Sequence, residues 1–123
     1  MNQIRFFKKM PFNFGLETLG GNLFKLVEKK TALPVKISTK VRTVIDNQPR
    51  VHLKFFLGDR PVANLNKFVA ELSLKLIKPE KRGQEIDLEI RVSRAGELNI
   101  NLSHRITSKN ICKKFNKKFY LIF

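Results

Sequence analysis

Apolar and polar residues alternate with a period of two along most of this chain, and helical spacing is scarce. Val51, Leu53 and Phe55 alternate with His52, Lys54 and Phe56, while Leu72, Leu74 and Leu76 alternate with Ser73, Lys75 and Ile77. Ile86, Leu88, Ile90 and Val92 are separated by Asp87, Glu89 and Arg91, and Leu98, Ile100 and Leu102 by Asn99 and Asn101. Successive side chains of a strand point to opposite faces, so each run predicts a strand with one buried face. Arg94-Ala95-Gly96 between two such runs predicts a tight hairpin in which Gly96 takes positive φ. Short strands punctuated by Gly, Pro, Asn and Asp predict an all-β fold, an antiparallel β-sandwich of about eight strands with protruding loops.

The loops carry the remaining signal. Pro11 to Gly21 reads PFNFGLETLGG, and Ile45-Asp46-Asn47-Gln48-Pro49 follows some way downstream. Leu16 and Thr18 share a strand face, and Gly20-Gly21 lets the backbone climb into a protruding loop before Leu23. Glycine turns with alternating apolar residues and one Thr are the chemistry of a gripping surface and contain no catalytic motif. An ordinary Gly-Gly hairpin with Leu19 over the core is the structural alternative for this motif taken singly.

Composition narrows the setting. The 123 residues are enough for one small domain, and 42% apolar content argues for a folded chain. A single cysteine, Cys112, forms no internal disulfide, and no apolar run is long enough to span a bilayer as a helix. The N-terminal MNQIRFFKKM lacks the long apolar stretch of a signal peptide, so a cytoplasmic location is expected. A net charge of +15 attracts phosphate backbones whatever the fold. Between Pro11 and Ser108, however, 17 Lys and Arg face 10 Asp and Glu, and two short terminal segments hold the other eight cations.

In the tail from Thr107 to Phe123, Ile111, Phe115, Phe119 and Ile122 stand among lysines at spacings that fit a short amphipathic helix. A membrane-surface or partner-binding role and an eroded end without a selected role are both open for it. Cys112 has Lys113 and Lys114 beside it but no paired His or second Cys, the pattern of an inert thiol. His52 and His104 are isolated and poor metal-ligand candidates.

Gly15-Leu16-Glu17-Thr18-Leu19-Gly20-Gly21 resembles the opening strand and first loop of the peptide-binding domain of DnaK-type heat-shock chaperones, the heat shock protein 70 family. Thr31-Ala32-Leu33-Pro34 resembles the family's Thr-Thr-Ile-Pro, Asp46-Asn47-Gln48 its second loop, and Gly58-Asp59-Arg60 its Gly-Glu-Arg. Lys81-Arg82-Gly83 and Arg94-Ala95-Gly96-Glu97-Leu98 resemble the motifs that close the domain. Six spaced motifs in order are far more specific than any one of them.

The resemblance implies a substrate-binding domain over residues 11–106, a remnant interdomain linker over 1–10, and a basic tail over 107–123 unlike the family. It implies that Leu16, Thr18, Val41, Val51 and Leu53 line a peptide groove, with Val51 flooring the central pocket and Leu19 and Val44 arching over it. Strand residues of this type are also ordinary core formers. Val41 stands where the family usually has Phe, and Val44 where it usually has Ala, so the groove's shape differs.

The full-length family uses ATP through a preceding ATPase domain and closes a helical lid. This chain is expected to be a truncated or degenerate member that lacks both, and hence to be no enzyme and to hold no cofactor or metal. Lys8 occupies an acidic linker position and Ala95 replaces an Asp that faces the ATPase domain. Those losses weaken nucleotide coupling and count against a J-domain co-chaperone as partner. Arg82 and Asp46 match lid-latching positions and are expected to decorate the surface.

The function so implied is passive holding of extended, Leu-rich segments of unfolded proteins. Leu33-Pro34-Val35 and Val69-Ala70 lean towards the HscA branch, which would add an iron–sulphur scaffold protein as partner. The alternative is a small basic RNA-binding β domain, which would need aromatic stacking platforms on a cationic face. Phe55 and Phe56 point to opposite faces and most other aromatics lie near the termini, so contact with nucleic acid is expected to be non-specific only, and no contact with a membrane is expected.

Overall fold

The computed structural model describes residues 6–76, 81–106 and 109–119. Eight strands follow one another: β1 Phe14–Glu17, β2 Leu23–Val27, β3 Val35–Arg42, β4 Arg50–Leu57, β5 Lys67–Lys75, β6 Glu85–Val92, β7 Glu97–Ile106 and β8 Lys109–Lys118. They form two four-stranded antiparallel sheets, ordered β2-β1-β4-β5 and β3-β6-β7-β8. The only other regular element among the described residues is one 3-10 turn, Ala63–Leu65. The alternation predicted a β-sandwich of about eight strands, and that is the architecture found.

The alternating apolar residues build the core between the sheets. Ile86, Leu88, Ile90 and Val92 of β6, and Leu98, Ile100 and Leu102 of β7, are all at most 1% exposed. Removing each of these side chains from water is worth about 1.5–3 kcal/mol, so the second sheet is strongly held by its inner face. From the first sheet come Leu16, Val51, Phe55, Leu72 and Leu74. Phe14 and Phe55 stack inside this core with centroids 5.7 Å apart. A register shift between Phe55 and Phe56 leaves Phe56 outside the core cluster, edge-on to Phe68. The Arg94–Glu97 hairpin closes as expected, with Gly96 at φ 78° and its amide donating to the Ser93 carbonyl at 3.0 Å.

The expected helix in the tail does not form: Lys109–Lys118 is strand β8, paired along its whole length with β7. A spacing of four fits one helix face, but it equally fits one strand face, because four is twice the strand period. Ile111, Phe115 and Phe119 therefore line up on the core side, and Phe119 is 1% exposed. The edge of β7 supplies ten residues' worth of backbone partners, which an isolated Lys-rich helix cannot match. Lys113 and Lys117 oppose Leu102 and Leu98 yet remain exposed, since long stems at a sheet edge carry their ammonium groups out to water. Ile122 lies outside the described residues.

The segment before Pro11 is also attached. The Phe7 amide donates to the Arg94 carbonyl at 2.7 Å, Lys9 bridges to Ala32, and Met10 is 1% exposed. Phe7 packs on Phe119 with ring centroids 4.8 Å apart, so the two ends of the described chain meet on one corner of the sandwich.

Candidate functional site

The first sheet is incomplete where β1 stops. β1 is four residues long and pairs with β4 only through Phe55, Phe56 and Leu57. On that side, residues 50–54 of β4 have no ladder partner among the described residues. This opening forms a cleft of about 520 Å³, within the range of small-ligand sites.

All seven residues singled out from the sequence lie around it: Leu16, Thr18, Leu19, Val41, Val44, Val51 and Leu53. Val51 is 4% exposed and belongs both to the core cluster and to the cleft wall, as does Leu16 at 9%. The core and cleft readings of these residues are therefore not exclusive. Leu19 is the opposite case at 91% exposed, and Val44 is 53% exposed. Side chains this apolar are left in water on two loops that flank one opening.

Local chemistry holds both loops. In the β1–β2 loop the Thr18 carbonyl accepts from the Gly21 amide at 2.9 Å, and the Thr18 hydroxyl accepts from the Asn22 amide at 3.2 Å. Gly21 takes φ 83°, a conformation that favours glycine and lifts Leu19 to the tip. In the β3–β4 loop Gln48 acts twice: its Oε1 accepts from the Val44 amide at 2.8 Å, and its Nε2 donates to the Arg50 carbonyl at 2.7 Å. The buried Thr43 binds the Gly83 and Gln84 amides, tying this loop to the one before β6. Asp46 and Arg82 are joined, the Arg82 amide donating to Asp46 Oδ1 at 2.9 Å. They therefore help to brace the loop as well as occupying the surface.

The charged lining is what sequence reasoning missed. Glu17, Arg42, Arg50, His52 and Lys54 also border the cleft. Alternation along β4 placed His52 and Lys54 opposite the core and hence in solvent, but at an incomplete sheet edge both faces of β4 border the opening. Arg42 reaches Glu85 at 3.7 Å, and His52 contacts Glu71. Arg50 and Lys54 have no acidic partner among the described residues. On β3, in the other sheet, Lys40 is held above its ordinary pKa by hydrogen bonds to Asp87 and then Glu85, but it lies outside the cleft. Among the described residues no group of three or more His, Cys, Asp or Glu could hold a metal ion, and no helix is long and apolar enough to cross a membrane.

Fold and site together define a class, the β-sandwich domains whose end loops wall a cleft at an interrupted sheet. Comparison with known proteins specifies it further. The family model described as Hsp70 protein matches residues 2–118. The chain is 36% identical over 100 residues to the chaperone protein DnaK of Psychrobacter cryohalolentis, an alignment covering 80% of this chain and 16% of that protein. To heat shock protein hsp-6 of Caenorhabditis elegans it is 35% identical over 100 residues, covering 80% and 15%. The chain belongs to the Hsp70 family, and it spans about a sixth of the length of these curated relatives. The matched region runs through β8, so the strand expected to be a tail unlike the family lies within it.

Proposed function

We propose that this chain is a chaperone substrate-binding domain that holds an extended apolar peptide segment in the cleft between its β1–β2 and β3–β4 loops. The observation that carries the reading is the pairing of an open strand edge with two exposed apolar tips. The unpartnered side of β4 offers backbone groups to an incoming extended chain, and main-chain bonding of this kind gives affinity with little sequence demand. Val51 floors the cleft and selects one aliphatic side chain, while Leu19 and Val44 close over it. A cytoplasmic location goes with this reading. The HscA-like assignment draws nothing further from its residues, because Leu33, Val69 and Ala70 are buried in the core and packing accounts for them.

Fluorescence anisotropy with a Leu-centred heptapeptide and with single-stranded RNA, each at two salt concentrations, tests the proposal. Peptide binding that depends weakly on salt and is lost in Val51→Phe is the expected result. RNA binding that falls steeply with salt and ignores that substitution would instead indicate the basic RNA-binding alternative. Val51 also packs in the core, so Leu19→Asp, at an exposed tip, serves as the second variant and is expected to weaken peptide binding without unfolding the domain.

A further inference from the structure

We propose that the cleft selects apolar segments flanked by acidic side chains; this rests on the peptide-holding function above and names the substrate class within it. The floor and tips of the cleft are apolar, so discrimination by charge falls to its border. There Arg42, Arg50 and Lys54 face one carboxylate, Glu17, while His52 is engaged with Glu71.

The three cations are not equivalent. Arg42 is partly committed to Glu85, at 3.7 Å with its side chain 63% exposed. Arg50 and Lys54 are exposed and have no acidic partner among the described residues. Lys75 of β5 stands opposite Arg50, which makes that end doubly cationic. Glu71 stands opposite Lys54, but it is engaged with His52. Arg50 and Lys54 are four residues apart on one strand, about 13 Å, and they bracket Val51 and Leu53. An extended segment laid along this edge with its aliphatic residue over Val51 therefore meets Arg50 about one residue away on one side and Lys54 about three residues away on the other. A cation stands at each end of the site, but Glu17 borders the Lys54 end, so the preference is strongest for an acidic residue at the Arg50 end.

Exposed ion pairs are individually weak and screened by salt. Two or three acting together are expected to give about a tenfold spread between oppositely charged flanks at low salt. Three peptides with the same Leu-rich centre, flanked by Asp, Asn or Lys, would be titrated against the full chain at low salt and near 1 M salt. The expected order is Asp over Asn over Lys, with the spread collapsing at high salt and in the double variant Arg50→Gln/Lys54→Gln. Thermal melting checks that the double variant stays folded. Equal affinities for all three peptides, or a preference for Lys flanks, would overturn the charge selection while leaving peptide holding intact. Failure of all three, the Asn-flanked peptide included, would overturn peptide holding and the selection with it.

Discussion

The two sheets are built from the same alternating pattern and use it differently. In the β3-β6-β7-β8 sheet the strands are eight to ten residues long and pair in continuous register. In the β2-β1-β4-β5 sheet β1 and β2 have four and five residues, and register shifts fall at Phe14/Gly15 and Phe55/Phe56. The regular sheet buries an unbroken apolar face and leaves no opening in its ladder. The irregular one gives up backbone pairing at β4, and the cleft occupies that gap. On the proposed function, peptide holding depends on the gap beside β4 and its two loops while the regular sheet supplies an unbroken part of the core, so stability and affinity can be perturbed separately.

The largest effect is expected from the regular side. Phe119→Ala removes a fully buried ring that packs on Phe7 and docks the end of β8. A loss of about 3–5 kcal/mol is expected in denaturant unfolding, the usual range for buried Phe→Ala. Folded protein should keep its peptide affinity. An unchanged unfolding midpoint would mean that β8 contributes nothing to the domain and would break the division of labour at its stable end.

On the irregular side the expected effects reverse. Leu19→Asp and Val44→Asp alter exposed tips, so stability should move by no more than about 0.5 kcal/mol. Peptide affinity should fall roughly tenfold to a hundredfold, the equivalent of losing one buried aliphatic contact of about 1.5–3 kcal/mol. Titration and melting of the same samples check both halves. Gly15→Ala is the intermediate case, since a Cβ there would lie 2.0 Å from the Phe24 carbonyl oxygen. Backbone has to shift between β1 and β2, at an overpacking cost of about 1–3 kcal/mol. Because Leu16 is the next residue, peptide affinity should fall together with stability.

How much of this was legible in the sequence follows from which face a residue serves. Ile86–Val92 and Leu98–Leu102 could be read because strict alternation has one physical meaning when only one face is buried. The tail was misread because Ile111, Phe115 and Phe119 satisfy helix and strand periods alike, and the partner that decides between them, the edge of β7, is a tertiary fact. The seven cleft residues, six apolar ones and Thr18, were legible only through resemblance, since Val51 and Leu16 look like core and are core. Arg50, His52 and Lys54 were invisible because alternation assigns them to solvent. What makes them border the cleft is the early end of β1 at Glu17, and no local property of β4 encodes that.

The smallest effect is expected at the closed end of the irregular sheet, away from the cleft. Asp59 follows β4; its Oδ1 accepts from the Asn13 amide at 3.1 Å and its Oδ2 from Lys29 Nζ at 3.2 Å, joining three chain segments beside β1. These contacts, the Asn13 amide first, hold its pKa below the ordinary 3.8. The folded state thus binds a proton less readily than the unfolded one, so the charge stabilises the fold above pH 3.8 and ceases to as pH falls through the lower folded value. The side chain is 40% exposed, which limits the contribution to about 0.5 kcal/mol after solvent screening. Asp59→Asn should therefore be slightly less stable than the parent chain at pH 7, with the gap closing in acid. A gap of equal size at pH 7 and pH 3 would show that the charge is irrelevant and that the hydrogen-bond geometry alone fastens this end. Peptide affinity should not respond in either case, because nothing at Asp59 reaches the opening that β1 leaves beside β4.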